Sequence, residues 1–251
     1  MLNRMKILGV SVDNVSLDES CLRTKELIEN SNKTCKMIFA PNTEIIMCAQ
    51  KDKEFFEILN KSELSTPDSI GVEMAAKRLK NPLKERIQGQ KYFRKIVSEG
   101  EKLGWTFYIL GGKGDTPQKA VDNLKKIYPN LNIVGYHEGY FDSDTEESVI
   151  AEINDLKPNV LFVAMGAPLQ EKWIEKHRHE LKVDVAAGQG GTFDYEAGKI
   201  KRAPVIFQKL GIEWFWRLVL QPSRFFRMLA LPIYLMKITF TKDITKGKFD
   251  K

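Results

Sequence analysis

The chain has 251 residues, of which 43% are hydrophobic and 29% are charged, and its formal net charge is +6. This size and balance suit one α/β domain of about 200 residues with a smaller appendage, and they exclude a disordered or low-complexity protein. The three cysteines (Cys21, Cys35, Cys48) are odd in number and lack CxxC or Cys/His spacing, which excludes a disulfide framework and a zinc site.

Short β-branched or aromatic runs alternate with amphipathic stretches of about 10–15 residues, a pattern typical of parallel strands joined by crossover helices. We predict strands at 6–11, 36–40, 63–66, 106–110, 132–136, 159–165 and 183–187. Helices are predicted at 17–29, 44–59, 71–79, 92–103, 116–128, 145–156 and 168–181. After 201–204 the alternation stops, and two helical segments are predicted on either side of Gln221 and Pro222. The predicted fold class is α/β, with a Rossmann-like parallel sheet over 1–200 and a helical appendage over 201–251.

The predicted appendage differs chemically from the rest. Residues 199–251 hold 12 Lys and Arg against 3 Asp and Glu, which is +9, so the remainder of the +6 chain carries −3. Eight aromatic side chains lie between Phe207 and Phe240. A segment that is both cationic and apolar favours an anionic membrane surface, and its Leu, Ile and Met content favours lipid over nucleic acid.

The longest apolar stretch of this segment, 228–240, is 13 residues, whereas crossing a bilayer takes about 20. The N-terminus turns polar after one strand-length run and predicts no secretory leader. We therefore expect a cytoplasmic protein that is peripheral on the inner face of the cell membrane. Away from a bilayer, the exposed apolar surface could drive homo-oligomerisation.

Two glycine-rich turns each follow a predicted strand. The first contains Gly111, Gly112 and Lys113, and the second contains Gly188, Gly190, Gly191, Thr192 and Asp194. Backbone N–H groups in such turns can hold phosphate at the start of a helix, so the pair could hold the diphosphate of a nucleotide. Neither turn matches a Walker A loop or the GxGxxG fingerprint. The alternative for the first is a tight turn capped by Thr116.

Three polar residues follow or lie close to other predicted strands. Asp68 could be a general base or a helix N-cap. Asn42 and Gln170 are neutral amides that could bind sugar hydroxyls or an acetamido group, or could stabilise turns. Asp142 and Asp144 form a DxD string, but their place before a predicted helix favours capping over metal binding.

Arg217, Arg224 and Arg227 would share a face on a continuous helix. Guanidinium groups match phosphate in bidentate fashion, so this face could bind a diphosphate. The alternative is a solvated cationic face that only attracts the protein to anionic lipid.

Nine ordered blocks together carry a family resemblance: PNTEI, PDSIG, ERIQG, LGGKG, YPNLNIVGYHEGYF, VLFVAMGAPLQEKWI, GQGGTFD, AGKIKRAP and LGIEWFWRL. On these blocks the chain resembles the WecG/TagA/CpsF family of bacterial glycosyltransferases, from Met5 to about Pro232. The resemblance implies an inverting transferase that uses no metal or other cofactor. Its donor would be a UDP-sugar, typically UDP-N-acetylmannosamine, and its acceptor the 4-hydroxyl of N-acetylglucosamine on undecaprenyl diphosphate.

The resemblance also implies roles for particular residues. Asp68 would be the base that activates the acceptor hydroxyl, with Asn42, Arg86 and Gln170 lining the site. The turns at 111–114 and 188–191, with Thr192 and Asp194, would border the donor nucleotide. Arg217, Arg224 and Arg227 would close over a diphosphate once the appendage is seated on the membrane.

Four positions depart from the family pattern and bear on the identity of the sugar donor. Ala40 stands where Thr is usual, Lys91 where Asp is usual, Glu138 where His is common, and Gln189 where Val is usual. Two other classes stay open from the sequence: a nucleotide-sugar dehydrogenase or epimerase, and a non-catalytic membrane-bound sensor of UDP-sugars.

Overall fold

We describe the protein from a computed structural model over residues 3–200, 203–204, 207, 213–220 and 229–250. Its strands are β1 Arg4–Ile7, β2 Val10–Asp13, β3 Lys36–Phe39, β4 Leu64–Ser65, β5 Thr106–Gly111, β6 Asn132–His137, β7 Val160–Ala164 and β8 Val185–Gly188. Strands β3 to β8 form one parallel sheet in the order β4-β3-β8-β7-β5-β6. This confirms the predicted α/β class with a parallel sheet.

The helices that connect the strands are α1 Leu17–Glu29, α2 Thr43–Ala49, α3 Lys53–Asn60, α4 Ile70–Arg78, α5 Gly89–Leu103, α6 Thr116–Ile127, α7 Ser143–Leu156 and α8 Leu169–His177, and α9 Thr192–Glu196 follows the last strand. One apolar core is formed with α2, α3, α4, α7 and α8. The other is formed with α1, α5, α6 and α9. A sheet covered on both faces explains why β7 is buried at every residue.

The predicted strand at 6–11 is wrong, because the chain reverses inside it. Strands β1 and β2 pair antiparallel as a separate hairpin, with Ile7 opposite Val10. Leu8 and Gly9 form the two-residue turn, with φ of 47° and 77°. Positive φ at both central residues gives a tight turn that matches strand twist. The two short strands therefore pair with each other and form a sheet separate from the parallel one.

The predicted helix at 44–59 is also wrong as a single element. Helix α2 ends at Ala49, and α3 begins anew at Lys53. The Asp52 carboxylate caps α3 by accepting a hydrogen bond from the Phe55 N–H at 3.0 Å. A side-chain acceptor at an N-cap satisfies one of the open N–H groups of a helix start, which stabilises a new start here.

Two further helices, Glu213–Leu220 and Ala230–Phe240, lie in the predicted appendage. The second packs on the core against α2 and α4. Tyr234 and Ile238 are buried in that contact, and the Tyr234 hydroxyl donates to the Gly71 carbonyl at 3.0 Å. The other side of the helix is apolar and exposed at Ile233, Leu235, Met236 and Phe240.

Residues 241–250 return to the N-terminal hairpin. The Leu8 N–H donates to the Ile244 carbonyl at 2.7 Å, and the Phe249 ring meets Phe56 edge to face. The helix Ala230–Phe240 and residues 241–250 therefore pack on the core, while the division at 200/201 stays a prediction. Across the described ranges, no helix has the length and apolar character needed to cross a bilayer.

Candidate active site

The predicted junctions meet at one edge of the molecule. Because β3 to β8 are all parallel, the loops that follow them leave from the same edge of the sheet, which is where α/β proteins of this type bind ligands. The loops after β4 and β3 are neighbours, and the loops after β8, β7 and β5 follow in that order. Asp68, Asn42, Gln170 and both glycine-rich turns lie in or directly beside these loops.

Asn42 and Asp68 are brought together by direct bonds between their loops. The Thr43 and Ser69 hydroxyls are hydrogen-bonded at 3.0 Å, and the Thr43 N–H also donates to Ser69 Oγ at 3.3 Å. Asn42 precedes the first of these residues and Asp68 precedes the second. Asn42 is the N-cap of α2, and its Oδ1 accepts from the Ile45 N–H at 3.0 Å.

The backbone directly after Asp68 is strained. Ser69 has φ 82° and ψ 153°, a region in which a non-glycine residue costs on the order of 1–3 kcal/mol. Ser69 occupies the N-cap position of α4 but makes no side-chain capping bond, because its hydroxyl is used by Thr43. The N-cap of this helix is thus Ser69 and not Asp68, and the half-buried Asp68 lies on the loop itself.

Arg86 lies beside the Asp68 loop, although it belongs to a separate segment of the chain. The Ile87 N–H donates to the Pro67 carbonyl at 2.8 Å, so the residues beside this bond, Arg86 and Asp68, lie on adjoining stretches of backbone. Both are half-buried. The structure therefore places Asn42, Asp68 and Arg86 in one cluster of loops at the carboxyl ends of β3 and β4.

Gln170 is 3% exposed and connects two loops. Its Oε1 accepts hydrogen bonds from the Gly166 N–H at 3.2 Å and from the Gly190 N–H at 2.9 Å. Its Nε2 donates to Glu171 Oε1 at 2.7 Å. The amide thus joins the loop after β7 to the glycine-rich loop after β8.

Glu171, which bonds Gln170 and follows it in α8, is a residue that the sequence analysis did not single out. It is 1% exposed, and burial raises its pKa to about 7 against the hydrogen bond from Gln170. Its Oε2 has no hydrogen-bond partner among the described residues. An acid in the first turn of a helix normally faces solvent, but Glu171 is three residues before the buried Ile174, so the helical spacing already placed it on the inner face.

The first glycine-rich turn has three glycines in a left-handed backbone conformation. Gly111, Gly112 and Gly114 all have positive φ, and a β-carbon on Gly111 would lie 2.5 Å from the Ala164 carbonyl carbon. The Gly114 N–H donates to the Glu138 carboxylate at 2.7 Å. This amide therefore holds an anionic group supplied by the protein itself, and phosphate binding at the turn stays a prediction.

Asp115, beside this turn, is paired with two lysines, Lys119 and Lys199. Lys199 Nζ lies 2.6 Å from an Asp115 carboxylate oxygen and donates to Thr116 Oγ1 at 2.7 Å and to the Lys113 carbonyl at 3.3 Å. Hydrogen bonds from Lys119 and Lys199 lower the pKa of Asp115 to about 2. Lys113 itself is exposed at the edge.

The second glycine-rich turn is closed by its own bonds. The Thr192 hydroxyl donates to the Gln189 carbonyl at 2.7 Å, and the Thr192 N–H donates to the same oxygen at 3.1 Å. Gly191 is exposed, and Asp194 is half-buried in α9. Gly188 faces the Gln170 amide, since a β-carbon there would lie 2.8 Å from Gln170 Nε2.

The remaining predicted residues are the aspartates of the DxD string and the three arginines of the predicted appendage. Asp142 is the N-cap of α7 and accepts from the Thr145 N–H at 2.9 Å, which accounts for the DxD string as capping. No group of three or more metal-ligating side chains occurs over the described ranges. Arg224 and Arg227 lie outside the described residues, and Arg217 is described only as backbone in Glu213–Leu220.

Comparison with known proteins gives matches along nearly the whole chain. The model of the glycosyl transferase WecG/TagA/CpsF family matches residues 5–248. A protein of Bacillus subtilis (strain 168), named N-acetylglucosaminyldiphosphoundecaprenol N-acetyl-beta-D-mannosaminyltransferase, is 37% identical over 202 residues, which are 80% of this chain and 78% of that protein. A protein of the same name from Staphylococcus aureus (strain NCTC 8325 / PS 47) is 33% identical over 246 residues, 98% of this chain and 96% of that protein.

Proposed function

Because the chain belongs to the WecG/TagA/CpsF family of glycosyl transferases, we propose that it moves N-acetylmannosamine, or a related hexosamine derivative, from a UDP-sugar to a lipid-linked acceptor. The acceptor is the 4-hydroxyl of N-acetylglucosamine on undecaprenyl diphosphate, and the product serves the synthesis of a wall teichoic acid-like surface polymer. The names of the relatives support the transferred sugar and the acceptor.

The observation that carries the proposal is the loop cluster of Asn42, Asp68 and Arg86. The bonds between Thr43 and Ser69 and between Ile87 and Pro67 hold these loops together. A carboxylate on a strained loop, beside a neutral amide and a guanidinium group, has the chemical groups needed to orient a hydroxyl and remove its proton.

In the proposed mechanism, Asp68 takes the proton of the acceptor hydroxyl as its oxygen attacks the anomeric carbon of the donor. The bond from that carbon to the UDP phosphate breaks in the same displacement, which inverts the anomeric configuration. Negative charge then builds on the departing diphosphate. Arg217, Arg224 and Arg227 are proposed to stabilise that charge in place of a divalent metal.

The donor nucleotide is proposed to lie along the glycine-rich turns at 111–114 and 188–191, next to Thr192 and Asp194. Gly190 supports this position because its N–H is held by Gln170, which fixes the backbone of the second turn. At the first turn, a phosphate on the Gly114 N–H has to displace the Glu138 carboxylate.

The lipid-linked acceptor requires contact with a membrane. We propose that the C-terminal segment provides it on the inner face of the cell membrane, through the exposed apolar side of the helix Ala230–Phe240 and the basic residues around it. Met236 and Phe240 are 62% and 80% exposed on that side, which is typical of side chains that enter the interfacial region of a bilayer.

The test compares Asp68→Asn with Asp144→Asn in the full chain, with UDP-sugars and a short-chain prenyl-diphosphate N-acetylglucosamine as substrates. We expect Asp68→Asn to lose about 10²–10⁴-fold in turnover while its affinity for UDP, measured by calorimetry, stays unchanged. Asp144 is exposed in the DxD string, and its variant should keep wild-type turnover, also in EDTA.

Wild-type turnover of Asp68→Asn would remove this carboxylate from the mechanism. Loss of activity in EDTA, rescued by magnesium or manganese, contradicts metal independence. Mass spectrometry of the product identifies the sugar, and UDP binding with no product from any donor favours a sensor.

A further inference from the structure

The loops after β7 and β8 are joined by a single side-chain oxygen. Gln170 Oε1 accepts from both the Gly166 and Gly190 N–H groups. An amide rotated by half a turn would point its NH2 group at these two donors, and both backbone N–H groups would lose the acceptor that the buried Gln170 side chain provides. The contact between the two loops at Gly166 and Gly190 therefore depends on the orientation of the Gln170 amide.

That orientation is selected by Glu171. Its Oε1 accepts the hydrogen bond of Gln170 Nε2 at 2.7 Å, and the flipped amide would place an oxygen against this carboxyl oxygen instead. Both side chains are almost fully buried, so water does not compete for the bond.

The backbone of β8 leaves room for this pair in its observed position because residue 188 is glycine. A β-carbon there would lie 2.8 Å from Gln170 Nε2 and 3.3 Å from Glu171 Oε1. No left-handed φ occurs at Gly188, in contrast to Gly190, so the demand for glycine comes from the space that the amide and the carboxyl occupy.

The carboxyl is not a residue that stability alone favours. Glu171 Oε2 is buried without a hydrogen-bond partner among the described residues, and a half-satisfied buried acid costs more than an apolar side chain of similar size. A destabilising group that aligns an active-site amide indicates a functional reason for its presence.

We propose that Glu171 is a positioning residue of the transferase. It fixes the Gln170 amide so that its oxygen holds Gly166 and Gly190, and thereby sets the spacing of the loops after β7 and β8 around the donor. This inference rests on the proposed function, because only that function assigns the donor to these loops.

The first test needs no substrate and uses NMR of the Gln170 side-chain NH2 group in the full chain, assigned by its loss in Gln170→Leu. We expect the wild type to show this NH2 protected from exchange with solvent. Glu171→Met keeps the side-chain length but replaces the carboxyl by a thioether, which is only a weak acceptor, so protection should fall sharply. Glu171→Gln keeps an acceptor oxygen and should retain the protection. Glu175→Gln, on the same helix, removes a partner of Lys61 and is the matched control.

The second test measures transfer kinetics. Glu171→Met should lose about tenfold or more in kcat/KM, the effect typical of a lost hydrogen bond to a charged group, with no fall in Tm. Glu171→Gln restores an acceptor oxygen and should recover kcat/KM relative to Glu171→Met, while the control Glu175→Gln should stay within about twofold of the wild type. Gly188→Ala should match Glu171→Met, since it disturbs the same amide with the carboxyl in place.

Each outcome decides the proposal. If the Gln170 NH2 group stays protected from exchange in Glu171→Met, the proposal is overturned whatever the kinetics. The proposal is also overturned if that protection is lost while kcat/KM is unchanged. If Glu171→Met does not fold, Gly188→Ala takes its place as the variant that disturbs the Gln170 amide. It is then compared with Glu171→Gln by the same two measurements, NH2 protection and kcat/KM. Absence of turnover in the wild type with every donor defeats the proposed function instead, while the NMR result still decides whether Glu171 orients Gln170.

Discussion

Replacing Tyr234 by alanine tests whether the C-terminal helix is part of the core. Tyr234 is fully buried between the helix Ala230–Phe240 and the start of α4, where its hydroxyl bonds the Gly71 carbonyl. A β-carbon on Gly71 would come within 3.1 Å of the tyrosine ring, so the ring lies directly on the α4 backbone. This contact begins three residues after Asp68.

The expected cost follows from what the ring fills. Removing a buried aromatic side chain costs about 3–5 kcal/mol, and the hydroxyl contributes about 1 kcal/mol through its hydrogen bond. We therefore expect Tyr234→Ala to lower the free energy of unfolding by about 4 kcal/mol and Tyr234→Phe to lower it by about 1 kcal/mol. Met236→Ala, exposed on the same helix, should change it by about 0.5 kcal/mol or less.

The assay is urea unfolding of the full chain, followed by both tryptophan fluorescence and far-UV circular dichroism. Two probes are needed because a segment that undocks by itself would give a separate early transition, which a single-transition analysis would hide. The packing argument would be refuted if Tyr234→Ala lowered the free energy of unfolding by less than about 1 kcal/mol while the fluorescence and circular dichroism transitions coincided. An early transition in the wild type would instead support a separate C-terminal domain over 201–251.

Two further predictions concern the other side of the site. Glu171 has a folded-state pKa raised from 4.5 to about 7 by burial, so its contribution favours the folded state below pH 4.5 and is lost as the pH rises through 7. At about 1.36 kcal/mol per pKa unit, the free energy of unfolding lost through this shift is roughly 3 kcal/mol. As the pH rises from 4.5 to 8, the free energy of unfolding of Glu171→Gln, measured by chemical unfolding, should therefore rise by that amount relative to that of the wild type. Parallel pH curves for the two proteins would contradict this prediction. Gly111→Ala should lower the free energy of unfolding by about 3 kcal/mol or more, because its β-carbon meets the Ala164 backbone and its φ is 133°; a midpoint equal to the wild type's in urea would show that the turn can relax.

The positions of the site loops followed from the sequence, but the bonds inside the site did not. Asp68, Asn42 and Gln170 could be placed because each lies just after a strand, or in the turn that follows one, and parallel strands end at one edge. That Gln170 would bond Gly190 depends on loops that come from different parts of the chain. Only the tertiary structure brings these donors and acceptors together.

The two wrong elements have local causes. The strand prediction at 6–11 ran through Leu8 and Gly9 because leucine is not a usual residue at positive φ, and the Asn-Gly or Asp-Gly signal of a hairpin is absent. The predicted helix at 44–59 is interrupted because Asp52 caps a new helix start. In the sequence, a capping aspartate cannot be distinguished from an exposed aspartate in the middle of a helix.

The basic and aromatic composition of the C-terminal segment predicted a surface role, yet it did not separate buried from exposed rings. Tyr234 and Phe240 lie six residues apart on one helix, and one is fully buried while the other is 80% exposed. Which of them faces the protein is decided by the space beside Gly71, a residue more than 160 positions earlier.

The pairing of the N-terminal hairpin with residues 244–250 has a consequence for synthesis. On the ribosome β1 and β2 emerge long before Ile244 and Phe249, which contact the turn and Phe56. Contacts that span nearly the full chain form late and slow the search for the native state. Nascent chains therefore leave the surface around Leu8 and Phe56 without these two contacts during elongation, and a holding chaperone can bind it until residues 244–250 have emerged.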